Sequence, residues 1–204
     1  MLKLFWAPNT IAVAPAIVLN EGGVHWDGQR IDFKSGEQTK PDYLGVNPKG
    51  RVPALATPGG ILTEAGAIME YLAATAVPGL VPVDPLHAAR MREIMYYLAS
   101  TAHVNHAHKV RGARWADRAE SWADMQAKVP ETMTASAAFL DAQIEGSLLF
   151  GDALTLADAY LYAVSTWLEG DGVDVNRFSK LARFMDVMRA RPSVQAVWDA
   201  GMLS

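Results

Sequence analysis

The chain changes character at a short proline-rich stretch, and this change constrains its fold more than any other feature. Pro78, Pro82 and Pro85 stand close together, and proline interrupts helices and central strands alike. Strand and helix patterns alternate before this stretch, whereas only helical patterns follow it. The prolines therefore predict a linker between two domains of different class. The expected first domain, linker and second domain are residues 1–76, 77–86 and 87–204.

The first domain has the pattern of a mixed α/β unit. Leu2–Trp6 is a short apolar run ended by Pro8, which predicts a buried strand. Ile11–Glu21 is rich in Ala, Val, Ile and Leu and predicts a helix, for which Asn9 and Thr10 offer N-cap oxygens. The same reasoning predicts a strand in His25–Phe33, a helical turn near Pro41–Leu44, a Gly-Gly hairpin joining Val52–Ala56 to Ile61–Leu62, and a helix at Glu64–Thr75. The predicted order is β-α-β-α-β-β-α.

The second domain shows helical periodicity alone. Apolar residues recur at i, i+3, i+4, i+7 and i+11 from Met91, which is the stripe of an amphipathic helix. Further helical patterns cover Ala123–Glu145, Thr155–Leu168, Phe178–Ala190 and Ser193–Ala200. An all-α second domain is therefore expected.

Composition excludes several classes of function. The chain has no cysteine, so disulfides, zinc–thiolate sites and a cysteine nucleophile are excluded. A net charge of −4 gives no electrostatic case for nucleic acid or an anionic membrane. The N-terminus lacks a signal-peptide pattern, and no apolar stretch approaches the ~20 residues that span a bilayer. We therefore expect a cytoplasmic protein with no nucleic-acid or membrane partner.

Three segments of the chain resemble the cytosolic glutathione transferase family, most closely its bacterial beta-like members. They are Phe5–Thr10 with the helix that follows, Asn47–Leu55 with Ile61–Ala65 and Ile68–Leu72, and Gly151–Tyr160. They occur in the family's order, and the resemblance covers essentially the whole chain. It implies a thioredoxin-like glutathione-binding domain followed by an all-helical domain, usually paired as a homodimer. It also implies an enzyme in which the thiolate of bound glutathione, the co-substrate, attacks a small hydrophobic electrophile.

The resemblance implies a glutathione site around two junctions. A cis Val52–Pro53 bond would expose the Val52 backbone to the cysteinyl part of glutathione, which would pair there as an added strand. Without the resemblance, Pro53 would be a trans residue opening an edge strand. The helix start at Ala65 suits the γ-glutamyl carboxylate, and Glu64 suits its ammonium, although Glu64 could instead cap the helix. The family usually has Ser at Ala65, so one contact is expected to be missing. The predicted glutathione-binding residues are Arg51, Val52, Pro53, Glu64 and Ala65.

The residue that activates the thiol is less evident. A free thiol has a pKa of about 8.5, and lowering it by about two units makes the thiolate dominant at neutral pH. Beta-like relatives usually carry a cysteine where this chain has Ile11, and Ile cannot donate a hydrogen bond. Thr10, and after it Asn9, are the predicted sulfur donors. The alternative is that both only cap the helix and that backbone N–H groups hold the thiolate.

A second cluster, Ser100–Trp115, is expected to line the cleft between the domains. His103 matches an active-site histidine of the beta-like members, while Val104 replaces the lysine that often follows it. His103 and His106 lack a third ligand for a metal ion, so no metal site is predicted. The basic residues are too few to indicate nucleic acid, but they could form a solvated face or a dimer interface. The candidates for the electrophile site are Trp6, Asn105, His106, Lys109, Arg114 and Trp115.

Two further interpretations complete the prediction. Thr155 and Asp158 have the spacing of a capping box, so we expect them to fix a buried helix rather than to act in catalysis. Because Ile11 and Ala65 depart from the family pattern, a non-catalytic binding or regulatory protein of the same fold, such as a stringent-starvation-type partner of the transcription machinery, is the alternative function. The intact Val52–Pro53 and Glu64 features favour the enzyme.

Overall fold

The computed structural model describes every residue from Met1 to Ser204, and the chain separates into two compact units. One unit combines Met1–Ala88 with Arg189–Ser204, and the other is Ala89–Met188. The sequence had placed the closing segment in the helical domain. It joins the first unit because the last helix packs against the first one.

The first unit contains a four-stranded mixed sheet in the order β2-β1-β3-β4. β1 pairs with β2 in parallel and with β3 antiparallel, and β3 pairs with β4 antiparallel. The strands are β1 Leu2–Trp6, β2 Trp26–Arg30, β3 Ala54–Thr57 and β4 Gly60–Thr63. With the helices below, this confirms the predicted thioredoxin-like order.

The helices of the first unit enclose this sheet. The first helix is apolar on every side, and all residues from Val13 to Leu19 are buried, as expected for a helix without a polar face. It packs against both the third and the last helix. These helices are α1 Val13–Glu21, α2 Pro41–Leu44, α3 Ala65–Thr75 and, at the end of the chain, α9 Pro192–Asp199.

The predicted N-caps of α1 are wrong. The helix begins at Val13, and its flanking residue Ala12 provides no side-chain cap. The Thr10 hydroxyl donates instead to the Ala7 carbonyl at 2.7 Å, which closes a turn ahead of the helix. Asn9 has a φ of 56°, in the left-handed region that Asn tolerates better than most residues.

The second unit is all-helical, as predicted. Its helices are α4 Pro85–Tyr97, whose first residues precede this unit, α5 His103–Ala107, α6 Ala119–Gln143, α7 Leu156–Ser165 and α8 Ser179–Arg189. A π-helical turn at Leu98–Ala102 continues α4 directly into α5. Every residue of α7 is buried, so this helix is the centre of the unit. None of the helices combines the length and the apolar character needed to cross a membrane.

The capping box at the start of α7 is confirmed. The fully buried Asp158 accepts hydrogen bonds from both the backbone N–H and the hydroxyl of Thr155, each at 2.7 Å. Its other oxygen accepts the Leu149 N–H at 2.8 Å. One carboxylate thereby fixes the helix start to the loop before it.

Candidate active site

Three segments of the first unit meet at one edge of the sheet. Phe5 pairs with Ala54, and Ala54 pairs with Thr63. Because β3 runs antiparallel to both neighbours, its start lies beside the ends of β1 and β4. The turn before α1, the Val52–Pro53 bond and the Glu64–Ala65 junction therefore occupy the same edge. This brings the predicted glutathione-binding residues close to the predicted thiol-activating turn.

The Val52–Pro53 bond is cis, as the resemblance implies. The loop before it is held at the Arg51 carbonyl, which accepts the Tyr43 hydroxyl at 2.7 Å and the side-chain amide of the buried Asn47 at 2.6 Å. The Val52 N–H and C=O take no part in the pairing of β3 or in the turn before it. They are therefore available to an extended ligand that adds as a strand.

Tyr43 is a stable donor in this loop. Burial raises the pKa of its hydroxyl to about 12. The proton that it donates to Arg51 is therefore retained throughout the physiological pH range. Its ring also packs against Phe5 of β1, with ring centroids 5.8 Å apart.

Glu64 is held in an unusual conformation. Its φ of 71° lies in a region that residues other than glycine rarely adopt, at a cost of about 1–3 kcal/mol. Its carboxylate does not cap α3, so the alternative interpretation as a helix cap is wrong. It is largely exposed and forms an ion pair with Lys49, whose ammonium also donates to the Thr63 hydroxyl at 2.7 Å. Lys49 lies in the motif around Pro53, but the sequence analysis assigned it no role.

The start of α3 offers free backbone donors beside Glu64. The first helical hydrogen bond runs from the Ile68 N–H to the Glu64 carbonyl at 3.0 Å. The N–H groups of Ala65, Gly66 and Ala67 precede it and have no acceptor within the helix. Because no side chain caps α3, these groups and the helix dipole suit a carboxylate.

Both predicted sulfur donors already have partners. The Thr10 hydroxyl donates to Ala7, as described above. The Asn9 side-chain amide donates to the Ser204 hydroxyl at 2.9 Å, and its oxygen accepts the Ser204 N–H at 3.1 Å. The N–H groups of Thr10–Ala12 stand at the start of α1, where the helix provides no acceptors.

Trp6, a candidate for the electrophile site, is mostly enclosed within the first unit. Only 9% of its surface is exposed. Its indole nitrogen lies against Gly28 of β2, where a Cβ atom would approach it to 3.0 Å. Trp6 therefore offers little surface to a second substrate in this conformation.

In the second unit, two of the predicted histidines gather around one tryptophan. The His106 ring stacks on Trp167, with centroids 4.2 Å apart and planes 20° apart, and His103 lies 5.0 Å from the same ring. His106 Nδ1 lies 2.7 Å from a carboxylate oxygen of Asp171, and the Lys109 ammonium lies 3.2 Å from the other oxygen. The Asp171 side chain is fully buried.

Asp171 therefore orients the cationic part of the predicted cluster. An ionised carboxylate only accepts hydrogen bonds, so an ionised Asp171 would take a hydrogen bond from Nδ1 of His106 and leave Nε2 for another partner. Asp171 could not be predicted from the sequence, because a lone acidic residue between two glycines of a turn forms no motif. Lys109 also donates to the carbonyl of Gly170, which ties it to the same turn.

The other candidates of this unit lie outside the Trp167 cluster of ring contacts. Asn105 donates to the Ser136 hydroxyl at 3.3 Å and thereby links α5 to α6. Trp115 is 45% exposed and meets His108 edge to face at 4.6 Å. Arg114 ends a short 3-10 turn just before it. A cavity of about 380 Å³ lies beside this turn, lined by His108, Lys109, Val110, Gly112, Trp122 and Gln126 among others.

No group of three or more His, Asp or Glu side chains is placed to hold a metal ion. Both units contain polar groups that can bind or orient an organic ligand. The first unit presents backbone donors and acceptors with one carboxylate, and the second presents an oriented imidazole.

Comparison with known proteins agrees with this geometry. Residues 1–74 match the family model of the glutathione S-transferase N-terminal domain, and residues 88–192 match that of the C-terminal domain. Glutathione S-transferase GstA of Escherichia coli O157:H7 is 31% identical, over 95% of this chain and 96% of its own. A maleylacetoacetate isomerase of Rhizobium meliloti is 33% identical, over 71% of this chain and 70% of its own.

A solved structure resembles the chain over its full length. It is a glutathione transferase homologue from Sulfitobacter with bound glutathione, 53% identical, with a TM-score of 0.98. The alignment covers 100% of this chain and 99% of that one. With both family models matched in order, these similarities show that the chain belongs to the glutathione S-transferase family.

Proposed function

We propose that this chain is a glutathione transferase that binds glutathione at the edge of its sheet and directs the thiolate at a small electrophile. One observation carries the proposal: the cis Val52–Pro53 bond, the Glu64–Ala65 junction and the turn before α1 converge at that edge. The glutathione bound to the Sulfitobacter homologue supports the choice of ligand. None of the comparisons favours the non-catalytic alternative.

Each part of glutathione has a complementary group. The cysteinyl part pairs with the Val52 backbone as an added strand. The γ-glutamyl carboxylate accepts from the first N–H groups of α3, where Ala65 supplies its backbone alone. The ammonium replaces Lys49 at the Glu64 carboxylate, which is exposed enough to be reached. Arg51 is exposed and adjoins Val52, so we place it beside the peptide part of the ligand.

The turn before α1 stabilises the thiolate. Its N–H groups and the start of the helix supply partial positive charge at the sulfur. Thr10 is the side-chain donor if its hydroxyl exchanges the Ala7 carbonyl for the sulfur. Catalysis then consists of lowering the thiol pKa and of placing two substrates together.

For the electrophile we propose residues of the second unit. His103 and the Asp171-oriented His106 can hydrogen bond to an oxygen on the electrophile, and Lys109 or Arg114 can stabilise negative charge on it. Asn105 and Trp115 can add a polar contact and a stacking surface. Because one relative is named an isomerase, a glutathione-dependent isomerisation is to be assayed beside conjugation.

We further propose that the protein is a homodimer that acts in the cytoplasm. A homodimer is supported by large exposed side chains on the helical unit, notably Tyr96 at 67% and Phe139 at 39% exposed. The rings of Tyr97 and Phe139 already pack against each other across α4 and α6, tilted by 44° with centroids 4.3 Å apart. We place the enzyme in the cytoplasm, in detoxification of small electrophiles. Sedimentation of the wild type and of Tyr96→Lys would test the dimer.

The decisive test is calorimetric titration with glutathione at neutral pH, paired with absorbance near 240 nm, where the thiolate absorbs. Binding with a thiolate signal and conjugation of an activated aryl halide supports the enzyme. Binding without a thiolate signal would support a glutathione-binding protein without catalysis. No binding at millimolar glutathione would refute the proposal.

A matched set of variants tests the role of Thr10. Thr10→Val removes the hydroxyl at nearly constant shape, and Thr10→Ser retains it. If the hydroxyl holds the thiolate, the valine variant raises the pKa of the bound thiol and the serine variant does not. Equal thiol pKa values in both would assign the thiolate to the backbone N–H groups.

A further inference from the structure

The segment Arg189–Ser204, which we call the α9 segment, runs along the whole length of α1. At the end of α1, Arg191 forms an ion pair with Glu21. Beside it, the Asn20 side-chain amide donates to the Ser193 carbonyl at 3.2 Å. The packing of α9 on α1 continues from these contacts toward the start of the helix.

At the start of α1, the same segment ends on Asn9. The Asn9 N–H donates to the Met202 carbonyl at 2.9 Å. Its side chain exchanges two hydrogen bonds with Ser204, at 2.9 Å and 3.1 Å. Met202 and Leu203 are buried, so this part of the segment is anchored by packing as well as by hydrogen bonds.

Asn9 determines the direction of the backbone that follows it. Its left-handed φ of 56° turns the chain immediately before Thr10–Ala12, whose N–H groups stand at the start of α1. An isolated Asn reaches this region only in a minority of its conformations. Three hydrogen bonds to Met202 and Ser204 hold Asn9 there.

We propose that the α9 segment is a positioning device for the thiolate: Met202 and Ser204 fix Asn9, and Asn9 aims the N–H groups of Thr10–Ala12 at the glutathione sulfur. Asn9 is then a positioning residue rather than a sulfur donor. This inference rests on the proposed function, because it concerns the activation of bound glutathione.

Ser204 separates this mechanism from direct donation by Asn9. If the Asn9 amide donates to the sulfur itself, losing the Ser204 hydroxyl leaves the thiolate unaffected or frees the amide to bind it better. If Asn9 acts through its conformation, losing that hydroxyl weakens its anchorage and with it the thiolate. Asn9→Gly measures the full effect of losing the side chain under either mechanism, because glycine tolerates the left-handed conformation but has no side chain to be anchored.

The experiment measures the pKa of bound glutathione from the pH dependence of absorbance near 240 nm. The proteins are the wild type, Ser204→Ala, Ser204→Thr, Asn9→Gly and, as the control on the same segment, Gln195→Ala. Ser204→Ala should raise the thiol pKa by about half a unit, roughly a threefold loss of thiolate below the pKa, and Asn9→Gly by about one unit. Ser204→Thr and Gln195→Ala should match the wild type.

Ser204→Ala and Asn9→Gly should lower kcat in parallel with the thiolate and leave the KM for glutathione nearly unchanged, because the Glu64 contacts are intact. A purely structural role would instead lower the unfolding midpoint without moving the thiol pKa, and that result overturns the inference. So does a shift in Asn9→Gly with none in Ser204→Ala. A wild type that binds no glutathione overturns the proposed function as well, whereas normal thiolate in all variants overturns this inference alone.

Discussion

Glu64 combines a strained backbone with the carboxylate that we propose as the partner of the glutathione ammonium. The strain follows from its position, because the chain turns directly from β4 into α3 at a residue with a φ of 71°. Glycine would adopt this conformation at far lower cost. A charged residue at this strained position is consistent with the proposed ligand contact, since stability alone would favour glycine.

We expect Glu64→Ala and Glu64→Gly to lose glutathione affinity equally, by about tenfold to a hundredfold, because each removes a charge-assisted hydrogen bond of about 1.5–3 kcal/mol. Their stabilities should differ. Alanine retains the strain of about 1–3 kcal/mol, while glycine relieves it and adds about 0.4–1 kcal/mol of unfolded-state entropy. Glu64→Gly should therefore be the more stable variant by about 1 kcal/mol in urea unfolding. A glycine variant less stable than the alanine variant by about 0.4–1 kcal/mol would show that the turn is not strained.

At this scale the sequence predicted the residues that belong to motifs. The cis Val52–Pro53 bond and the junction at Glu64 could be predicted because both have recognisable neighbours. Lys49 and Asp171 were missed because their roles come from pairing across the fold, with Glu64 and His106 respectively.

At the scale of elements, the α1–α9 contact depends on one partly buried ion pair. Burial on its own would raise the pKa of Glu21, but the hydrogen bonds and the charge of Arg191 hold that pKa below its usual value. A carboxyl whose folded pKa is depressed stabilises the fold fully above its unfolded pKa of about 4.3. That contribution is lost as the pH falls through the folded pKa.

Glu21→Gln should therefore reduce the dependence of the free energy of unfolding on pH in the acid range. The wild type should lose more stability than the variant between about pH 5 and pH 3, and the two should differ most near neutrality. Urea unfolding at a series of pH values measures this. An identical pH dependence for both proteins would show that the pair does not couple to folding.

A substitution at the start of α7 should destabilise the fold more than Glu21→Gln does. Asp158→Ala removes the acceptor of three hydrogen bonds and leaves the buried N–H groups of Leu149 and Thr155 unpaired. At about 1–3 kcal/mol for each unsatisfied buried group, the expected loss is about 3 kcal/mol or more. Asp152→Ala is the matched control in the preceding loop, since that carboxylate is exposed, and it should cost less than about 0.5 kcal/mol. Chemical denaturation of both variants measures the two losses in the free energy of unfolding.

Most elements could be predicted because their periodicity is local. The capping box of α7 and the hairpin of β3 and β4 depend on neighbouring residues, and both are present. The cap of α1 was predicted wrongly because Asn9 and Thr10 bond to Ser204 and Ala7 instead. A partner 195 positions away is not visible in a local pattern.

At the scale of the whole molecule, the order of elements was evident from the sequence but the membership of the last helix was not. Helical periodicity shows that Pro192–Asp199 has an apolar face, yet it does not show which apolar surface that face covers. Here the face belongs to α1, whose own lack of a polar side requires covering all round. The first unit is therefore built from both ends of the chain.

This construction predicts how the molecule responds to its ligand. Glutathione at a hundred times its Kd stabilises the state that binds it by about 2.7 kcal/mol, which for a chain of this size corresponds to a rise in Tm of roughly 5–10 °C. The proposed site lies in the first unit, to which the α9 segment belongs. Ser204→Ala should therefore lower the Tm of the free protein slightly but keep the full rise in Tm with glutathione. Glu64→Ala, at the same glutathione concentration, should lose most of that rise. Scanning calorimetry of the three proteins with and without glutathione measures both quantities. A full rise in Glu64→Ala would place the ligand away from the α3 junction and refute the binding mode proposed above.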